Sequence, residues 1–484
     1  MPGAPGSLVG APPRGSPVTA DRVRAFAADA LAPSSGPRRV GVESEWFVVR
    51  AAGQPPADPA TPDAPTPADD VLAVDCLRRS VPTRLPCGST VSFEPGGQIE
   101  LSSAPEPLPD CLRHTAGDLA TLRHSLATAG LDLAGLGLDP LRPPVRRLDL
   151  PRYAAMSEYF GAGPGRTMMC STAGLQVNLD TGGNGGGELP ARPAERAVSV
   201  AARWRLAHQL GPVLVAAFAA SPLRRGEVTG WRSTRQWIWA VVDPGRTRPA
   251  LELADDPVEA WARYIMAARV MLLTEPDGAC LAVRDGSTFG DWVAGRGPAT
   301  RLPTEADLAC HATTLFPPVR PRGWLEIRYL DALPAALWQV PVTVLAALLD
   351  DPAAADAALD VTAPLASHWV QAARLGPADP DLRRAGLECF RLAAAALPRL
   401  GAGGSAVTAV ESFAARYLEA ARCPADDLLD MAALDGPAGL LAPEALSVAA
   451  PHPQASHTHT RSPDGRPAGG ARGPLDSDAQ EVIR

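Results

Sequence analysis

In the segment VGVESEWFVV (40–49), charged and apolar side chains alternate along an extended chain. Glu43 and Glu45 fall on one side, followed there by Phe47 and Val49, while Val42, Trp46 and Val48 take the other. The period of two recurs in 173–180, where Gln176, Asn178 and Asp180 oppose Leu175, Val177 and Leu179. It recurs again in 323–331, where Glu326 and Arg328, flanked by Trp324 and Leu330, oppose Leu325, Ile327 and Tyr329. A fourth segment, 89–102, reads as strand, Pro95-Gly96-Gly97, strand, with Glu94 just before the turn and Glu100 just after it. Four strand regions are therefore predicted, 39–50, 89–102, 173–180 and 323–331. Helical spacing predicts helices over 20–31, 109–129, 194–220, 256–274, 304–314 and 334–350, and 352–446 is helical almost throughout. The strands do not alternate regularly with helices, which indicates an α+β fold rather than a doubly wound parallel sheet.

The pattern also divides the chain. Residues 1–18 and 447–484 are Pro/Gly/Ser-rich or polar without periodicity and read as disordered ends around one domain, 19–446. The Pro/Ala/Asp stretch 51–70 reads as a mobile loop, and the glycines of 181–190 as a flexible turn without the spacing of a phosphate cradle. No apolar run reaches the length of a membrane span, and the first residues lack the basic-then-apolar order of a secretion signal. A cytoplasmic protein with no membrane partner is the expectation.

Composition narrows the chemistry. The chain of 484 residues is 46% hydrophobic, enough for a sizeable core. Its formal charge of −8 argues against a nucleic-acid surface. Eight cysteines occur without a CxxC pair, so neither a zinc site nor a disulfide framework is expected. All 45 basic residues are arginines. With no lysine, a Schiff-base mechanism and a P-loop are excluded, and any triphosphate must be neutralised by arginines and metal ions.

The polar strand faces supply both. Glu43 and Glu45, ~7 Å apart on one face, repel each other unless cations lie between them. Clustered carboxylates with few histidines select a hard cation, Mg²⁺ rather than zinc. Glu43, Glu45, Glu94, Glu100 and Glu326 are the candidate ligands. In WRSTRQWIWAVVDPGR (231–246), Arg232, Arg235 and Arg246 stand among Trp231, Trp237, Trp239 and Asp243. Guanidinium forks grip carboxylates and phosphates in two places, and tryptophan walls exclude water from them. Mg²⁺ with arginines and no lysine suits phosphoryl transfer. An ordinary antiparallel sheet with one wet face and surface ion pairs is the plainer alternative, and a two-carboxylate glycosidase is another.

The stretches GVESEWFVV, VSFEPGGQIELSSAP, MMCSTAGLQVNLD, STRQWIWAVVDPGR and TLFPPVRPRGWLEIRYLDA, in this order between residues 39 and 332, resemble the glutamate–cysteine ligases of the plant and bacterial type. Within that carboxylate–amine ligase group the likeness is nearest to the actinobacterial enzymes that make γ-glutamylcysteine for ergothioneine. The resemblance implies a glutamine-synthetase-like core: a curved antiparallel sheet with surrounding helices and a helical C-terminal part, its concave face holding ATP, Mg²⁺ and glutamate. It implies ATP-dependent ligation of the γ-carboxylate of glutamate to the amine of cysteine through γ-glutamyl phosphate. The implied roles are Asn178, Arg235, Trp239 and Tyr264 for the amino-acid substrate, Glu94, Gln98 and Arg328 for the nucleotide, and Glu326, Arg328 and Arg235 for catalysis. One stretch departs from the family pattern Tyr-x-x-Asp-x-Pro-Val: YIMAARVM keeps Tyr264 but has Ala267 for the acid and Arg269 for the proline. Loss of the proline predicts a regular helix through 261–273. A ligase for a different amine, or an inactive binding protein on the same scaffold, are the alternatives that this departure raises.

Overall fold

The alternating segments become neighbours in one antiparallel sheet. The computed structural model describes residues 17–34, 36, 38–51, 77–79, 81–183 and 198–442. Its strands are β1 (Val40–Arg50), β2 (Thr90–Phe93), β3 (Ile99–Ser102), β4 (Leu131–Ala134), β5 (Gly174–Leu179), β6 (Leu223–Arg224), β7 (Glu227–Val228), β8 (Leu272–Thr274), β9 (Cys280–Ala282), β10 (Val319–Pro321) and β11 (Leu325–Asp331). Seven of them form the sheet, in the order β10-β11-β5-β1-β3-β2, with β4 also pairing β1. The long β1 makes this possible, because its first half pairs β5 and β3 and its last residues, Phe47 to Arg50, pair β4. The predicted strand 89–102 is a hairpin, β2 and β3 closed by the Pro95-Gly96-Gly97 turn.

Five helices bear on the site: α1 (Pro151–Phe160), α2 (Pro164–Ser171), α3 (Val200–Phe218), α4 (Thr234–Val242) and α5 (Pro257–Ala267). The apolar side of the sheet, with Val42, Trp46, Val177 and Ile327 buried, belongs to the main core, as does α3. α3 is buried almost all round, as an apolar helix under a sheet must be. Tyr329 of β11 donates its hydroxyl to the Ala207 carbonyl of α3 at 3.2 Å, fixing sheet to helix. The region 352–442 is helical, as predicted. Among the described residues no helix is long and apolar enough to cross a membrane.

Three differences from the sequence reading have physical causes. The helix predicted over 256–274 ends at Ala267: Ala268 is extended, Arg269 bridges Thr288, and Val270 donates to the Ser287 carbonyl at 2.8 Å. The pairing available to the Val-Met-Leu-Leu run outweighs continuation of the helix, even with the proline absent. α1, α2 and α4 were not anticipated, although each has a start signal: Pro151 and Pro164 at first positions, and Ser233 capping the Gln236 amide at 3.1 Å. The predicted disordered ends, and most of 51–70 and 181–190, lie outside the described residues. Val18 is an exception, buried and donating to the Pro303 carbonyl at 2.9 Å.

Candidate active site

The β1–β3 register sets Glu45 directly opposite Glu100, and the turn between β2 and β3 brings Glu94 in beside them. Carboxylate oxygens of Glu45, Glu94 and Glu100 all lie within 4.8 Å of one another. Like charges opposite each other destabilise a sheet, so this register needs support. Around the turn, Glu94 exchanges backbone hydrogen bonds with Gln98 and Gly97 at 2.9 and 2.8 Å, and Gly97 has φ +88°, a conformation that suits glycine. The Pro95 carbonyl accepts the amides of Arg147 and Leu148. Gly96 lies so close to α2 that an added Cβ would sit 2.1 Å from the Cys170 carbonyl oxygen. Gln98 donates Nε2 to the Thr172 carbonyl at 2.7 Å and keeps a buried Oε1 without a partner among the described residues. The turn is thus pinned from both sides, with Glu94 held where its neighbours repel it.

Each acid of this wall keeps some hydrogen-bonding. Glu45 accepts from the Gly174 amide at 2.7 Å, Glu100 from Ser92 at 2.9 Å, and Glu43, next along β1, from Asn178 Nδ2 at 2.9 Å. These bonds do not offset burial and crowding. Burial raises the carboxyls of Glu45, Glu94 and Glu100, and neighbouring glutamates raise them further. Glu43 is pushed up to about 7 from an ordinary 4.5 by burial, then by Glu326 and Glu100. Without a cation, the folded chain therefore binds more protons than the unfolded chain from pH 4.5 up to about 7, and its stability falls as pH rises through that window. A divalent cation supplies the missing positive charge when the protons leave. Thermal melts in chelator and in Mg²⁺ are expected to show a larger cation-dependent rise in Tm at pH 8 than at pH 5; equal shifts at both would place the cation elsewhere.

The facing wall is cationic. Glu326, fully buried on β11, accepts Arg320 Nε at 2.5 Å and Arg320 Nη2, Arg322 Nη1 and Arg328 Nη1 at 3.1 Å each. Burial alone would raise this carboxyl, but Arg320 and Arg328 outweigh it and hold it well below the usual range. Arg328 also donates to Gln176 Oε1 at 2.5 Å. Arg235, buried on α4, donates Nη2 to the Arg328 carbonyl at 3.0 Å, and its Nη1 lies 3.8 Å from Asp331. Gly174 packs on that guanidinium so closely that a Cβ would come within 2.4 Å of Nη2. The Nε and Nη1 of Arg235 have no hydrogen-bond partner among the described residues. Nε without a hydrogen bond, and Nη1 with no more than the 3.8 Å ion pair to Asp331, leave this guanidinium able to accept an anion. Between the walls lies a cavity of about 330 Å³, reached by Glu43, Arg235, Trp239 and Arg328 as well as by the three clustered glutamates.

The expected site residues divide accordingly. Glu43, Glu45, Glu94, Gln98, Glu100, Arg235, Trp239, Glu326 and Arg328 all line this cavity. Two of the five expected metal ligands are not in the cluster of three. Glu326 is engaged by three guanidiniums, and Glu43 stands beside the cluster. Asn178 donates to Glu43 and accepts Trp324 Nε1 at 3.1 Å, and it is not among the lining residues of the cavity. Tyr264 stands apart from the cavity. It is 1% exposed in the main core and stacked on Trp261 at 5.4 Å. Arg320, Arg322 and Tyr153 were missed, though they also line it. The hairpin VRPRGWLEIR carried the signal for the first two, since antiparallel pairing sets Arg320 opposite Glu326.

Comparison with known proteins gives a family match over most of the chain. The model of glutamate-cysteine ligase family 2 matches residues 39–447. The glutamate–cysteine ligase EgtA of Mycolicibacterium smegmatis is 44% identical over 353 residues, covering 72% of this chain and 78% of that protein. That of Mycobacterium tuberculosis is 45% identical over 356 residues, with the same coverage. The chloroplastic glutamate–cysteine ligase of Arabidopsis thaliana is 30% identical over 298 residues, 59% of this chain and 53% of that protein.

Proposed function

This chain belongs to glutamate–cysteine ligase family 2, and we propose that it joins the γ-carboxylate of L-glutamate to the amine of L-cysteine at the expense of ATP. The observation that carries this reading is the pairing of three clustered carboxylates on the β1–β3 wall with three guanidiniums on the β10–β11 wall of one cavity. Phosphoryl transfer is mostly positioning and charge neutralisation, and these two walls supply one kind each.

Glu45, Glu94 and Glu100 would hold Mg²⁺; their hard oxygen donors, crowded and short of positive charge, fit that ion. When bound, the ion neutralises phosphate charge. Arg328, with Arg320 and Arg322 around Glu326, faces the transferring phosphoryl group. Arg235 takes the α-carboxylate of glutamate on the donors that make no internal hydrogen bond, and Trp239 closes that side against water. A γ-carboxylate oxygen of glutamate attacks the γ-phosphorus, and the bond to ADP breaks. The amine of cysteine then attacks the acyl carbon, loses a proton and expels phosphate, leaving the amide γ-glutamylcysteine, the precursor that ergothioneine synthesis draws on. No protein nucleophile is required.

Incubation with Mg·ATP, glutamate and a panel of amines is expected to release ADP fastest with cysteine. ADP release indifferent to glutamate, or faster with a neutral amine than with cysteine, would refute this assignment. The departure at Ala267 and Arg269 does not favour another amine, since Arg269 is not among the residues lining the cavity. Arg235→Lys keeps the charge but loses the planar fork. It is expected to raise the KM for glutamate on the order of tenfold, roughly 1.4 kcal/mol, with little change in the KM for ATP. An unchanged glutamate KM would put the substrate carboxylate on another residue.

A further inference from the structure

A second cavity, of about 180 Å³, opens between the C-terminal ends of α1 and α4 and the chain around β8 and β9, lined by Tyr159, Phe160, Val242, Asp243, Arg269 and Arg284 among others. It shares no lining residue with the first. α1 turns Tyr153 and Met156 to the carboxylate cavity but Tyr159 and Phe160 to this one. α4 likewise gives Arg235 and Trp239 to the first and Val242 to the second. On each helix the nearest residues of the two sets, Trp239 and Val242 on α4 and Met156 and Tyr159 on α1, stand three positions apart, about 4.5 Å along the axis, so the cavities are neighbours with separate linings.

The charge in this cavity is built into the fold. Asp243, 3% exposed, accepts Tyr159 Oη at 2.7 Å and Arg246 Nε at 2.8 Å on one oxygen, and Arg269 Nη2 at 3.0 Å and the Gly245 amide at 3.2 Å on the other. Both of its oxygens are occupied, so it offers nothing to a cation. Arg246 is buried and fully engaged, donating also to Thr314, to Tyr159 and to the Arg269 carbonyl. Arg269 spends one nitrogen on Asp243 while its side chain is 51% exposed, its guanidinium 5.9 Å from the Tyr159 ring centre. Arg284, exposed on the rim, has no acidic partner among the described residues. Among the lining residues, Arg269 and Arg284 against Asp243 leave one positive charge in excess, with Tyr159 and Phe160 in the same lining.

We propose that this second cavity binds a small oxyanion, the group shared by inorganic phosphate and an amino-acid carboxylate, between Arg269 and Arg284. Such an anion gains two charge-assisted contacts without displacing an existing bond. Arg269, which stands where the family pattern has proline, supplies one of them.

The test is calorimetric titration of the full chain with two probes, inorganic phosphate and L-glutamate, without ATP. Wild type is compared with Arg284→Glu, which breaks no internal contact, and with Arg269→Gln. The expected result is one class of oxyanion sites weakened at least tenfold in Arg284→Glu and weakened again in Arg269→Gln. Loss confined to phosphate identifies the occupant as phosphate, loss confined to glutamate identifies a carboxylate, and loss of both identifies the shared chemistry. Isotherms for both probes that match wild type in Arg284→Glu would overturn the proposal. ADP release with glutamate and cysteine, measured on the same proteins, reports on the carboxylate cavity separately, so failure at one site is not mistaken for failure at the other.

Discussion

Glu94→Gln is expected to give a protein that, free of cations, is more stable than wild type at pH 8, yet almost inactive when Mg²⁺ is supplied. Glu94 is buried with Glu100 and Glu45 beside it, and burial followed by those two charges raises its carboxyl well above the ordinary value. Ionisation of such a group opposes folding at pH 8, and the amide removes that opposition while keeping the shape. The same change removes one of three clustered oxygen donors. Loss of an outer-sphere partner of a metal ligand already costs up to about 10²-fold, so loss of a ligand should lower kcat/KM by at least about 10²-fold. The rise in Tm on adding Mg²⁺ should shrink with it. Thermal melts with and without chelator, together with ADP release, check all three. A variant less stable than wild type in chelator, or one with full activity, would show that Glu94 is an ordinary hydrogen-bonded residue of the turn.

Glu326→Gln is expected to move stability in the opposite direction. Glu326 is also a buried glutamate of this cavity, but Arg320, Arg322 and Arg328 converge on it and hold it ionised. Its replacement leaves guanidiniums short of their counter-charge, and breaking a buried pair in this way costs about 3–5 kcal/mol. Activity should fall too, because Arg328 loses the group that orients it. Glu326→Asp, which keeps the charge on a shorter stem, should recover part of the stability. Denaturant unfolding of the three proteins provides the measurement. A Glu326→Gln protein as stable as wild type would mean that the arginines are held by other contacts.

The contrast between these two glutamates marks how far the sequence could be read. Period-two alternation placed Glu43, Glu45, Glu326 and Arg328 on one side of their strands, and Pro95-Gly96-Gly97 located the hairpin that carries Glu94 and Glu100. Antiparallel pairing brought those faces together, and the α+β class followed from the same pattern. Partnership was not legible. Nothing in EIR says that Glu326 belongs to Arg320 and Arg322, because that depends on the pairing of β10 with β11. That the two ends of Asn178 meet Glu43 and Trp324 is likewise visible only in the fold. Tyr264 has the period of a core residue as much as that of a pocket residue, and its stacking on Trp261 decides between them. The helix through Arg269 failed because its competitor, pairing with the segment around Thr288, lies nearly twenty residues further on and has no local signature.

The most direct test of the two-walled cavity follows an oxygen atom. Glutamate labelled with ¹⁸O in its γ-carboxylate is supplied with Mg·ATP and cysteine, and the released phosphate is examined by mass spectrometry. If a γ-carboxylate oxygen attacks the γ-phosphorus and the amine later cleaves the acyl carbon–oxygen bond, each phosphate released carries one labelled oxygen. Phosphate without label, formed alongside γ-glutamylcysteine, would contradict transfer of the phosphoryl group to glutamate.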